Sequence, residues 1–275
     1  MRVDERTFSR LISPYDVRDY RYAAFMVSEA SFPKTYKLSE VSVKNQGSTG
    51  SCVAHACSSI VEYHNKRQQN NETVFSTEFI YGYRPDGYYV GEGMYLRDAL
   101  KTLQKVGDCP LANLRGNNKC EKAMENVDEN FDSLKDLAYP HRISSYIKLT
   151  TDDEIKMALM DSGYVLVSMP WHADYKLKNG VYTYTSDENR GYHAVTIYGW
   201  NEQGWLVHNS WGKNWGQDGK FIVPFGFKWT EAWAITDTIV NNDDIVRPEE
   251  KWYIKLFSGI INKVVNFVRK FIKKA

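Results

Sequence analysis

The chain has 275 residues, 43% hydrophobic and 25% charged, with a formal net charge of +1. That is enough for one large domain or two lobes sharing a cleft, and the balanced charge gives no global field that would recruit nucleic acid. The charged start Met1-Arg2-Val3-Asp4-Glu5-Arg6 has no apolar core of a secretory signal, no apolar run is long enough to span a bilayer, and four cysteines are too few for a disulfide scaffold.

Residues 1–40 carry Pro14 and Pro33 and little periodicity, which reads as an extended N-terminal segment. From Cys52 to Arg67 there is neither Gly nor Pro, and Val53, Ala56, Ile60 and Tyr63 recur at helical spacing. A helix with Cys52 in its first turn is therefore expected. A short helix over Thr77–Tyr83, a loop over Gly87–Gly93 and a helix over Met94–Lys105, carried by Leu96, Leu100 and Leu103, follow. From Pro110 to Tyr139 the chain is polar and patternless. Then come strands: Tyr164–Met169, ended by Pro170, and Gly180–Thr185, His193–Trp200, Gly204–His208 and Lys220–Val223, separated by Gly and Asn turns. A mainly helical lobe over 41–138 and a mainly β lobe over 139–237 make an α+β chain.

The chemistry-bearing stretch is Gln46-Gly47-Ser48-Thr49-Gly50-Ser51-Cys52, followed far downstream by Tyr192-His193-Ala194-Val195 and His208-Asn209-Ser210-Trp211-Gly212. A cysteine at a helix start is more often a small buried hydrophobe, a histidine in an apolar strand is usually core, and an Asn before Ser-Trp-Gly usually makes a turn. Their joint order points elsewhere. The positive end of a helix and a nearby imidazole both favour a thiolate at Cys52. His193 supplies the imidazole, Asn209 orients it, and the Gln46 amide with the Cys52 backbone N–H would hold an oxyanion. Cys52, His55 and Cys57 do not make a zinc site, because Cys109 and Cys120 give no matching second pair. No metal or cofactor is expected. Cys109 and Cys120 are candidates for a bridge, and spacing alone leaves them open. His55, His64, His141 and His172 carry no motif, and alternation turns His208 away from the Asn209 side chain.

These motifs resemble the papain family of cysteine peptidases, over about Val41 to Phe221, including Asn214-Trp215-Gly216-Gln217-Asp218-Gly219. The resemblance implies a papain-like α+β fold, a helical left lobe and an antiparallel, barrel-like right lobe with the site in the cleft between. It implies Cys52 as nucleophile, His193 as general base and acid, Asn209 as the orienting residue, Gln46 as oxyanion donor and Trp211 as the indole shielding the Asn–His bond. It also implies Gly93 as a backbone partner of an extended substrate, with Met94, Tyr95, Ser168 and Ala194 around an apolar, medium-sized pocket for the side chain one residue before the one at the scissile bond. Thr49 stands where most members have a disulfide cysteine, and Val53 where an aromatic follows the nucleophile. Packing by the helix after Cys52 and by the N-terminal segment must then hold the turn. Pro14-Tyr15-Asp16-Val17-Arg18-Asp19-Tyr20-Arg21-Tyr22 resembles a bacterial and viral branch with a short N-terminal segment over the cleft, which implies that residues 1–40 gate the site.

Residues 238–275 read as a polar linker and then a basic amphipathic helix, with Leu256, Phe257, Ile260, Ile261, Val264, Val265, Val268, Phe271 and Ile272 among lysines and arginines. Such a helix docks on its own body, on another subunit or on an anionic membrane. The expected function is a cysteine endopeptidase acting on protein or peptide; a non-catalytic binding or assembly module and a cell-wall peptide hydrolase are the alternatives. Location stays open among cytoplasmic at synthesis, virion-associated and non-classical release.

Overall fold

The computed structural model describes residues 10–14, 16, 31–70, 72–84, 92–114 and 132–238. Cys120, most of the loop expected over Gly87–Gly93 and the amphipathic tail lie outside them. A compact unit ends at Thr238.

Helix α1, Cys52–Gln69, starts where expected and stops at Asn70, which takes the left-handed conformation and donates its N–H to the Lys66 carbonyl at 3.0 Å. Every residue from Cys52 to Asn65 is buried, so α1 is a central helix with no solvent face. Helix α2, Thr77–Gly82, and helix α3, Leu96–Lys105, pack against it. The helix expected from Met94 begins two residues later. Met94 and Tyr95 instead form strand β3, because they pair in parallel with β1, Arg10–Leu11, in the register Arg10↔Met94 and Leu11↔Tyr95. A tertiary pairing here overrides local helical spacing. Residues 132–138, within the patternless stretch, form helix α4.

The second lobe is one large sheet. Its strands are β2 (Tyr36–Lys37), β4 (Ile143–Leu149), β5 (Val165–His172), β6 (Lys176–Lys178), β7 (Val181–Thr183), β8 (Asn189–Asn201), β9 (Gly204–His208), β10 (Lys220–Val223) and β11 (Glu231–Thr238). Their order is β4-β11-β5-β8-β9-β10-β7-β6, with β2 also on β8, and all neighbours are antiparallel except β10 and β7. Pro170 does not end β5. The strand runs on to His172 through a register shift between these residues, which accommodates the missing N–H. Strand β2 lies in the segment expected to be merely extended. It docks where Gly199 leaves room, since a Cβ there would sit 2.3 Å from the Tyr36 carbonyl oxygen.

Strand β8 is buried from His193 to Trp200 because it is covered on both faces. Ala194 and Tyr198 join Cys52, Val53, Ile60 and Leu100 in the core between the lobes. Val195, Ile197 and Trp200 join Trp171, Trp205, Val207 and Phe221 inside the β lobe. Between β4 and β5 lies α5, Asp152–Asp161, opened by a capping box in which Thr151 and Glu154 satisfy each other's backbone N–H. The sequence reading missed β4, α5 and β11, although Thr151-Asp152-Asp153-Glu154 is the capping-box signature. No helix among the described residues is long and apolar enough to cross a membrane.

Candidate active site

Cys52 is the first residue of α1, is fully buried and carries a free thiol. The first turn of α1 contains no acidic side chain of its own, so a thiolate there meets the positive helix end. Cys52 shares the inter-lobe core with Ala194, the residue after His193, and α1, which carries the thiol, packs on β8, which carries the imidazole.

The His193 ring is fixed on three sides. Its Nε2 and Asn209 Oδ1 are 2.8 Å apart. The same Oδ1 accepts the Ser210 backbone N–H at 2.8 Å, which holds the amide with its oxygen toward the ring. A carbonyl oxygen only accepts, so the Nε2 proton is the one it binds, and Nδ1 is left to take a proton. Trp211 stacks on the imidazole with centroids 4.7 Å apart and planes 28° apart, and Trp171 meets its edge at 5.4 Å. Both indoles are buried, so they keep water from the His193–Asn209 bond. The Asn209 backbone N–H donates to the Gly219 carbonyl at 2.9 Å. Gly219 has φ +77°, and a Cβ on it would strike Val43 at 2.4 Å, which is why glycine stands there.

Gln46 is held as firmly. Its backbone N–H donates to the Ser210 carbonyl at 2.8 Å. The Ser210 hydroxyl donates to Gln46 Oε1 at 2.6 Å, and Gln46 Nε2 donates to the Thr49 carbonyl at 2.8 Å. Oε1 is therefore turned toward Ser210, and one of the two Nε2 protons is used within the turn. Ser210, the residue next to Asn209, thus anchors the Gln46 amide, a role the sequence reading did not assign although the serine lies in the Asn-Ser-Trp-Gly motif.

Thr49 explains how the turn dispenses with a disulfide. Its hydroxyl donates to the Gln46 carbonyl at 2.7 Å and lies 2.6 Å from Ser51 Oγ. Ser51 Oγ is 3.2 Å from His55 Nδ1, which also bonds the Ser51 carbonyl at 2.9 Å. Gly50 donates its N–H to Glu92 Oε2 at 2.5 Å. A buried chain of hydroxyls and one imidazole holds the turn, where helix packing and the N-terminal segment were expected to do so. Burial, with Lys44 and His193 adding to it, lowers the His55 pKa to about 4, so the ring is neutral. Cys109 also carries a free thiol, buried and raised to about 12 by desolvation and then by Asp108. Among the described residues no cluster could hold a metal ion.

The substrate-side residues depart from expectation in two ways. Gly93 donates its N–H to Tyr81 Oη at 3.1 Å and accepts from Arg84 Nη1 at 2.6 Å. Its N–H is engaged within the chain while its carbonyl keeps a second lone pair, and the neighbouring Met94–Tyr95 edge is paired with β1. Second, Ala194, Ser168 and Glu231 are directly opposite one another on β8, β5 and β11, so they form a row on one face. Trp233 Nε1 donates to Glu231 Oε2 at 3.0 Å, which places the carboxylate on the face that carries Trp233 and Ala194 in the inter-lobe core. The Ser13 backbone N–H donates to the other oxygen, Oε1, at 2.8 Å. The pocket expected to be apolar thus has a buried carboxylate in its row. The alternation Glu231-Ala232-Trp233-Ala234-Ile235-Thr236 was the signal available for it.

A model of the family described as papain family cysteine protease matches residues 33–228. A cathepsin B-like cysteine proteinase of Haemonchus contortus is 34% identical over 104 residues, which are 34% of this chain and 30% of the relative. The chain therefore spans less than a third of that relative's length. An uncharacterized peptidase C1-like protein of Acanthamoeba polyphaga mimivirus is 28% identical over 239 residues, 75% of this chain and 73% of the relative. Among solved structures, xylellain, a cysteine protease from Xylella fastidiosa, superposes with a TM-score of 0.71 at 22% identity, covering 86% of this chain and 98% of that one; that likeness shows a shared two-lobed α+β fold.

Proposed function

The chain belongs to the papain family of cysteine proteases, and from that premise we propose that it is an endopeptidase acting through a Cys52 thioester. The observation that carries this reading is the double use of Asn209 Oδ1, which accepts from both His193 Nε2 and the Ser210 N–H and so leaves Nδ1 for the thiol proton. In the proposed reaction the Cys52 sulfur attacks the scissile carbonyl carbon while His193 Nδ1 holds the proton. The oxyanion accepts from the Cys52 N–H at the start of α1 and from the second Nε2 proton of Gln46. Collapse breaks the C–N bond and His193 protonates the leaving amine. Water, deprotonated by His193, then hydrolyses the thioester. No step needs a metal or organic cofactor.

Glu231 supports a refinement of the substrate: a basic side chain, lysine or arginine, one residue before the one at the scissile bond. The β1–β3 pairing and the Ser13–Glu231 bond support a gate in which residues 10–13 lie along the cleft-side edge of β3 and beside that carboxylate. The gate is shorter than residues 1–40, because Tyr36–Lys37 belongs to the sheet and the Pro33 carbonyl accepts from Trp200 Nε1 at 3.0 Å.

The test is to treat the folded, reduced protein with an epoxide electrophile specific for papain-like thiols and map the adduct. A single adduct on Cys52, absent in Cys52→Ser, is expected. A folded protein that leaves Cys52 unlabelled defeats the enzyme reading.

A further inference from the structure

Behind the catalytic pair, between α1 and the β8–β9 strands, lies a cavity of about 10 Å³ lined by His55, Ser59, Thr196, His208 and Asn209 among others. That is the size of one water molecule. Thr196 and His208 are directly opposite on β8 and β9, so their side chains share a face. Both residues are buried, at 1% and 4% exposure, and neither Thr196 Oγ1 nor His208 Nε2 bonds another described group. The Val41 backbone acts on the His208 ring as a hydrogen-bond acceptor does; an acceptor at Nδ1 holds the proton there, and Nε2 then offers a lone pair that needs a donor. Thr196 has a proton to give and is not within reach to give it directly.

We propose that one buried water occupies this cavity, donating to His208 Nε2 and accepting from Thr196 Oγ1, and that it positions the catalytic pair. The occupant must be both donor and acceptor, which water is and a cation is not. Lys44 and Lys220 lie near enough to act on His208 and disfavour a cation further, with Glu40 as the opposing charge. The positioning role follows from chain connectivity. His208 immediately precedes Asn209, and Thr196 follows His193 on the same strand. A water joining the Thr196–His208 rung therefore fixes β8 against β9 beside the His193–Asn209 bond. His208, which alternation was expected to turn away from the site, is then a positioning residue acting through the strand pair.

The first test is a high-resolution crystal structure of the full chain. A solvent peak within hydrogen-bond distance of both Thr196 Oγ1 and His208 Nε2 is expected, and a dry cavity or a direct Thr196–His208 bond overturns the proposal. The second is kinetic and rests on the peptidase reading, whereas the crystallographic test does not. Thr196→Val and His208→Phe should each lower kcat about tenfold, less than the hundredfold of a ~1 Å misplacement. KM should hold, the acid limb of the rate profile should move, and His208→Gln should recover most of the loss. The double variant Thr196→Val/His208→Phe should be no worse than either single one, as for groups sharing one ligand. Unchanged kcat and pH profile in folded variants, or additive losses, overturn the positioning role even if the water is present. Absence of activity in the unmodified chain counts against the peptidase reading alone.

Discussion

Replacing Ser210 by alanine isolates the orientation of the oxyanion donor. The substitution removes the Oγ–H donated to Gln46 Oε1 at 2.6 Å and leaves both backbone bonds of Ser210, its N–H to Asn209 Oδ1 and its carbonyl to the Gln46 N–H. The His193–Asn209 geometry is therefore retained while the Gln46 amide loses one of its two tethers; the bond from Nε2 to the Thr49 carbonyl remains. A buried neutral hydrogen bond is worth about 1 kcal/mol net, which is about fivefold in rate. Removing the donor outright costs about a hundred- to a thousandfold in kcat. Ser210→Ala should thus lower kcat about fivefold with KM unchanged. Gln46→Ala should lower it far more, and the double variant should match Gln46→Ala, because there is then no amide to orient. The assay is steady-state hydrolysis of a fluorogenic peptide, with the thermal midpoint of each variant confirming its fold. A fivefold loss that persists in the Gln46→Ala background, or an effect confined to KM, would refute the reasoning.

Three further outcomes are expected. Glu231→Ser should cut the kcat/KM preference for arginine over leucine at the residue before the one at the scissile bond by about tenfold or more, the worth of a charge-assisted bond; an unaltered ratio removes Glu231 from specificity. Deleting residues 1–14 should raise kcat/KM on a short peptide, and an unchanged or lower rate in a folded truncation ends the gating idea. Stability should fall on acidification. Burial lowers both His55 and His208 from 6.5 to about 4, so between these values the unfolded chain binds protons that the folded chain does not. Stability present above pH 6.5 is then lost toward pH 4, by at most about 3 kcal/mol for each ring. Urea midpoints measured between neutral pH and the acid end should show it, with a shallower slope in His208→Gln; a flat profile contradicts neutral buried rings.

The proposed catalytic set was legible in the sequence because it is carried by short, local signals. A glycine-rich turn before Cys52 and an uninterrupted helical pattern after it place the thiol at a helix start. Gly204–His208 and Lys220–Val223 were found at their observed boundaries because Gly and Asn turns bracket them. Strand β11 and helix α5 were not, since a short, almost fully buried strand with a glutamate in it and a short helix marked only by its capping box stand out little from loop in one sequence. Met94–Tyr95 was misread for the opposite reason: its local pattern is helical, and a partner far away in the chain makes it extended.

The sequence by itself determined which atoms could do chemistry here: a thiol, an imidazole, a carboxamide and an amide donor, in an order that implies one fold. Residue type and near spacing are sufficient for that. What only the tertiary structure decided is how those atoms are held. Ser210 reaches Gln46 across 164 residues, Glu231 enters the substrate row through the register of two strand pairs, and Thr49 closes the turn through a hydroxyl chain in place of a disulfide. Each of these depends on where a hydrogen falls between groups far apart in the chain, and strand register and close packing fix that position where spacing along the sequence does not.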